Sequence, residues 1–202
     1  VLSSSVITHL RSTFRDDPET ALGYFYFSFT NIQSKDTALS SLIKQLCARR
    51  PTVPPSVDGF HEYMDRGDRP DTVMLEEALL DTTCGFSTVY IIIDALDECP
   101  AINDQRRQLL QSLCRLLSKL PGNVHVFCTS RKEPDILEYL KPLLFASHRN
   151  ALDLTQGAHR RSLDRDIRLY IGSTLKDPAY KSWSQGLKDE VQDALIDKAD
   201  GM

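Results

Sequence analysis

The chain has 202 residues, 41% of them hydrophobic and 26% charged, a balance that supports a buried core and excludes collagen-like, low-complexity and disordered classes. Its formal net charge of −4 supplies no field for nucleic acid or for an anionic membrane surface, and no apolar run approaches the ~20 residues that cross a bilayer. Cys47, Cys84, Cys99, Cys114 and Cys128 are scattered and form no C-x-x-C pair, which excludes a zinc ribbon or disulfide framework and reads as reduced thiols in a cytoplasmic protein.

The opening stretch, VLSSSVITHLRSTFRDD, lacks the basic segment of a signal peptide. Val6, Ile7, Leu10 and Phe14 fall on one helical stripe that ends at Asp16-Asp17-Pro18. Leu22 to Phe29 is an aromatic run of strand length, apolar on both faces as in the middle of a parallel sheet. Leu39, Leu42, Ile43 and Leu46 predict a helix over 34–50. Residues 51–72 hold four prolines and read as a surface excursion with one short helix near Phe60–Met64. Asp71 or Thr72 caps the next helix, which runs through Met74, Leu75, Ala78 and Leu79 to near Gly85.

Val89–Ile93 is the second strand. Leu109, Leu110, Leu113, Leu116, Leu117 and Leu120 share one face of a helix over Asn103–Leu120, closed by Pro121-Gly122. Val124–Cys128 is the third strand, a short helix starts at Pro134, and Ala151–Leu154 predicts a short fourth strand. From about Leu163 the pattern turns wholly helical, with one amphipathic helix through Ile167, Tyr170, Ile171 and Leu175 and another through Leu187, Val191, Leu195 and Ile196. Tyr180 and Trp183 are expected to anchor this small unit.

Strands alternating with helices predict an α/β domain over 1–156, a parallel sheet flanked by helices, followed by a small helical unit over 157–202. Such sheets bind ligands beyond the carboxyl ends of their strands. Asp94 lies at such an end, in VYIIIDALDECP, with Asp97 and Glu98 close behind. A carboxylate there suits Mg²⁺, a hard cation that prefers oxygen ligands, and a second suits a water attacking a phosphoryl group. Asp94 fits the first role and Glu98 the second, while Asp97 assists the metal or orients its neighbours. The plainer alternative is that Asp97 and Glu98 open a loop and cap the next helix. Thr129-Ser130-Arg131, ending VHVFCTSR, brings hydroxyls and a cation to the same edge, where Arg131 can contact a terminal phosphate or else pair with an acidic residue. The five histidines share no metal-ligand spacing, and His125, inside a strand, reads as a packed core residue.

IIIDALDEC resembles the Walker B segment of NACHT-type STAND P-loop NTPases, and VFCTSRKEPDI resembles their sensor-1 strand and turn. GYFYFSFTNIQSKDTALSSLIKQL is similar to the strand and helix between Walker A and Walker B in fungal members, and LIDKADGM to a helix of their lid. The nearest subgroup is the nephrocystin-like N-terminal domain, found upstream of ankyrin or other repeats. The resemblance implies a P-loop NTPase-like core over 1–156, with Walker B at 89–98 and sensor 1 at 124–131, and a lid beginning at 157. It implies Mg²⁺ with ATP or GTP in the intact domain: Asp94 on the metal, Glu98 and Asp97 catalytic, and Arg131 on the nucleotide. It also implies a slow regulatory switch in signalling, with protein domains, self-association or repeats as partners.

No G-x-x-x-x-G-K-[ST] phosphate loop occurs in the chain. By the resemblance, residue 1 falls just after that motif, so the fold is expected to lack the P-loop strand, to be marginally stable and to bind nucleotide weakly. Ser3, Ser4 and Ser5 are set aside as magnesium ligands, because the family's hydroxyl ligand precedes residue 1. Two other readings stand beside the switch. One is a non-catalytic scaffold that keeps the fold. The other is a phosphohydrolase without a P-loop, which needs further metal ligands at the strand ends near Thr30 and Leu154.

Overall fold

Three apolar runs build a parallel sheet in the order β1-β2-β3, with β1 at Thr20–Tyr26, β2 at Thr88–Asp94 and β3 at Val124–Cys128. A computed structural model describes residues 2–31, 33–120, 122–144, 151–154 and 156–199. Register pairs Tyr26 with Asp94 and Ile93 with Cys128, so the carboxyl ends of all three strands lie together. β1 stops short of the expected Phe29 because β2 ends: Phe27 N–H makes the last ladder bond, to the Asp94 carbonyl at 3.1 Å. Beyond it, among the described residues, the chain has no neighbouring strand to pair with.

Helices α1 (Leu2–Thr13), α2 (Lys35–Cys47), α5 (Thr72–Cys84) and α6 (Gln105–Lys119) cover the sheet. Serine and aspartate caps start two of them, Ser34 accepting from Thr37 N–H and Asp71 from Met74 N–H. Leu39, Leu42 and Leu46 of α2 join Ile91 and Ile93 of β2 and Leu109, Leu110 and Leu113 of α6 in one buried core. Gly23 of β1 permits the close approach of α2, since a β-carbon there would meet Leu42 at 3.1 Å. On the other face Phe14, just after α1, stacks on Tyr90 with ring centroids 5.5 Å apart.

The excursion forms two short helices, α3 (Pro55–Asp58) and α4 (Phe60–Asp65), where one was expected. Pro55 at the first helical position is pre-set for helix and explains the extra turn. After β3 comes α7 (Pro134–Leu144). Contacts divide the chain into two units, Val1–Ala146 and Ser147–Met202. The second holds α8 (Gly157–Thr174) and α9 (Gln185–Ala199), which pack on each other, with Tyr180 and Trp183 edge to face at 5.0 Å between them in sequence. Pro121 and the last three residues of LIDKADGM lie outside the described residues.

Two expectations fail. Residues 151–154 form no strand; Leu152 and Leu154 are exposed, and alternation makes a strand only where a neighbouring edge can pair with it. His125 is exposed rather than packed in the core, lying flat against Tyr90 at 5.0 Å on the thinly covered side of β3.

The two outer edges of the sheet differ. Side chains close the edge of β1: Gln45 accepts from Tyr24 N–H at 3.1 Å and donates to Tyr24 O at 2.8 Å, Gln33 donates to Tyr26 O at 3.1 Å, and Arg49 reaches Thr20 O at 3.4 Å. On β3, the parallel register sends the backbone groups of Val124, Val126 and Cys128 away from β2, and among the described residues no hydrogen bond meets them.

Candidate functional site

The site begins where β2 runs out of ladder. Ala95, immediately after Asp94, sits in the left-handed region at φ 53° and ψ 51°, a conformation that costs a non-glycine residue about 1 kcal/mol or more. Thr129 holds it there. The Thr129 hydroxyl accepts from Ala95 N–H at 3.0 Å, and the Thr129 carbonyl accepts from Leu96 N–H at 2.9 Å. The kink swings the chain into a single 3-10 turn over Leu96–Glu98 that presents both following carboxylates beyond the sheet.

Asp94 is half-buried, and two hydroxyls converge on one of its oxygens. Thr129 donates to Oδ1 at 2.7 Å, and Ser3 of α1 donates to the same atom. Among the described residues nothing donates to Oδ2, which leaves one carboxylate oxygen for a ligand. Ser3 is only 1% exposed, so its hydroxyl is committed to this contact.

Asp97 faces the other way. Its Oδ1 accepts from Arg131 N–H at 3.1 Å, and its Oδ2 lies 3.6 Å from Arg131 Nε. The Asp97 carbonyl accepts from Arg106 Nη1 at 2.7 Å. Arg106 is buried and grips Asp135, at the start of α7, through two bonds of 2.8 and 3.1 Å. Burial works to raise the Asp135 carboxyl, but the bonds and charge of Arg106 outweigh it and hold the group below the ordinary aspartate value. Glu98 is turned toward the β1–α2 connection, where its Oε2 accepts from Phe29 N–H at 2.9 Å.

Thus Asp94 and Thr129 are brought together, as are Asp97 and Arg131, while Glu98 stands on a third contact. Among the described residues no three His, Cys, Asp or Glu side chains cluster to cage a metal. One open carboxylate oxygen beside hydroxyls suits Mg²⁺ as it binds phosphates, through one or two carboxylates and several waters. The connection after β1, near Thr30, adds no such cluster among the described residues, and the strand expected to end at Leu154 does not form. Cys99, beneath the turn, is buried, and burial pushes its thiol up to about 12, so it packs as a neutral group. None of the five cysteines is in a disulfide.

Sequence reasoning set Ser3 aside and passed over Arg106. Both had a signal. Ser3 continues the stripe of Ile7 one turn earlier, and Arg106 continues the leucine stripe of α6 at its first turn. A polar residue at a buried stripe position needs a partner, and each has one on the acidic segment.

The family model described as Nephrocystin 3, N-terminal, matches residues 1–131, a span that contains all three strands and Asp94, Asp97, Glu98 and Arg131. No curated protein matches the chain.

Proposed function

The chain belongs to the nephrocystin 3 N-terminal family, and from that premise we propose that it is the Walker B and sensor-1 portion of a NACHT-type regulatory NTPase. The single observation that carries the reading is the coupling of two strand ends through Asp94 and Thr129, with Asp94 keeping one oxygen open. This is the place where an α/β sheet receives its ligand.

The residues divide the work. Asp94 Oδ2 would hold Mg²⁺, with Thr129 and Ser3 fixing the carboxylate's orientation through Oδ1. Magnesium, when bound, supplies charge neutralisation across the phosphates of ATP or GTP. Glu98 is the proton acceptor for the attacking water: Phe29 N–H fixes Oε2, and Oε1 remains to take the proton. Arg131 neutralises the terminal phosphate. In this reading the turnover would serve signalling in the cytoplasm, through protein domains, repeats or self-association.

The test uses the protein extended upstream to include a G-x-x-x-x-G-K-[ST] segment. Glu98→Gln should retain nucleotide binding while turnover falls about a hundredfold or more. Unchanged turnover rejects Glu98 as the base. An upstream gene sequence without that motif favours the non-catalytic scaffold instead.

A further inference from the structure

Glu98 leaves the sheet edge from a turn only three residues long, so its direction depends on how that turn is held. Thr129 fixes the entry, its carbonyl accepting from Leu96 N–H at 2.9 Å. The exit is fixed at one peptide unit. The Asp97 carbonyl accepts from Arg106 Nη1 at 2.7 Å, and Glu98 N–H, on the other side of the same peptide bond, donates to the Ala95 carbonyl at 2.9 Å. A peptide group is planar, so bonds to its two opposite ends set its orientation and with it the direction of the Glu98 side chain. That side chain ends on Phe29 N–H at 2.9 Å.

Arg106 is itself held in place. It lies on the first turn of α6 with its side chain 10% exposed, and Asp135 of α7 receives Nε at 2.8 Å and Nη2 at 3.1 Å. Two parallel bonds fix the plane of a guanidinium, and the third nitrogen, Nη1, is then aimed at the Asp97 carbonyl. Lysine keeps the charge but cannot form the fork and reach the carbonyl together. We propose that Arg106 is a positioning residue for Glu98: clamped by Asp135, it sets the Asp97–Glu98 peptide and so aims the carboxylate. It acts through Glu98 and not on the substrate, and its effect on turnover rests on the reading of Glu98 as the proton acceptor.

The aim of Glu98 can be read without nucleotide, because Phe29 N–H reports it. In NMR spectra of the whole chain, Glu98→Ala marks where the Phe29 amide signal falls when its acceptor is gone. In Arg106→Lys that signal should move most of the way to the same position, and in Asp135→Asn part of the way. Phe27 N–H, bonded to the Asp94 carbonyl, should keep its shift in both. Tyr139→Phe is the control. Tyr139 joins the same two helices by accepting from Arg107 Nε at 2.6 Å, with no hydrogen bond to the turn among the described residues, so its loss should leave Phe29 unmoved. In the upstream-extended protein, Arg106→Lys should lower kcat about tenfold to a hundredfold with KM near wild type. A Phe29 signal at its wild-type position in both Arg106→Lys and Asp135→Asn overturns the positioning role, and so does equal movement in Tyr139→Phe. Movement at Phe29 with unchanged turnover keeps the positioning role and overturns Glu98 as the proton acceptor instead.

Discussion

Thr129 does two jobs with one hydroxyl, donating to Asp94 and accepting from the strained Ala95. Valine has nearly the same shape and neither bond. Thr129→Val should therefore lose about 1–3 kcal/mol, since it leaves a partly buried N–H and a carboxylate short of partners. Urea denaturation measures this, and Thr129→Ser should recover most of it. A Val variant as stable as wild type would show that the hydroxyl does not hold the kink. At this scale the grouping of side chains was legible where residue type and strand end coincide, as at Asp94 and Thr129. It was illegible where a contact spans the chain: Ser3 meets Asp94 across 91 positions, and only folding can bring them together. Which acid pairs with Arg131 was likewise beyond the sequence, because Asp97 and Glu98 are adjacent and the 3-10 turn decides which way each points.

Among the elements, α6 and α7 are locked by the Arg106–Asp135 pair, and its pH dependence has a definite sign. The folded Asp135 carboxyl sits below the ordinary aspartate value, so the pair contributes stability above that value and loses it as pH falls through the folded one. Asp135→Asn should lower stability at neutral pH and narrow the loss on acidification below about pH 4. Parallel acid-denaturation curves for the two proteins would contradict that.

Strand β1 presents a different case, with its outer edge closed by Gln45, Gln33 and Arg49. A side-chain amide that gives and receives one hydrogen bond imitates a neighbouring strand and discourages edge pairing. In Gln45→Ala the Tyr24 amide should exchange roughly fivefold to tenfold faster; unaltered exchange would mean that Gln45 does not protect it. Periodicity revealed the helices and strands themselves, since leucines and aromatics at fixed spacings record which face is buried. It gave no sign of these edge contacts, because a glutamine on a helix face looks like any solvated residue. For the same reason Ala151–Leu154 read as a strand: alternation records a possible face but not the presence of a partner edge.

For the molecule as a whole, the first unit carries the entire candidate site, and among the described residues its sheet is closed along β1 and open along β3. A sheet with one open edge is positioned to continue on that side, next to Thr129 and Arg131. The phosphate-binding segment that the proposed function requires does not occur in these 202 residues, so the chain by itself should bind nucleotide more weakly than a protein that includes it. The measurement that bears most directly on the account is calorimetric titration of nucleotide, with and without Mg²⁺, into the upstream-extended protein and its Asp94→Asn variant. The wild type should bind ATP or GTP at least tenfold more tightly when Mg²⁺ is present, and Asp94→Asn should lose most of that gain, as expected when the main protein ligand to the ion is neutralised. Equal dependence on Mg²⁺ in the two proteins, or none in either, would contradict Asp94 as the metal residue and remove the basis for reading this edge as a nucleotide site.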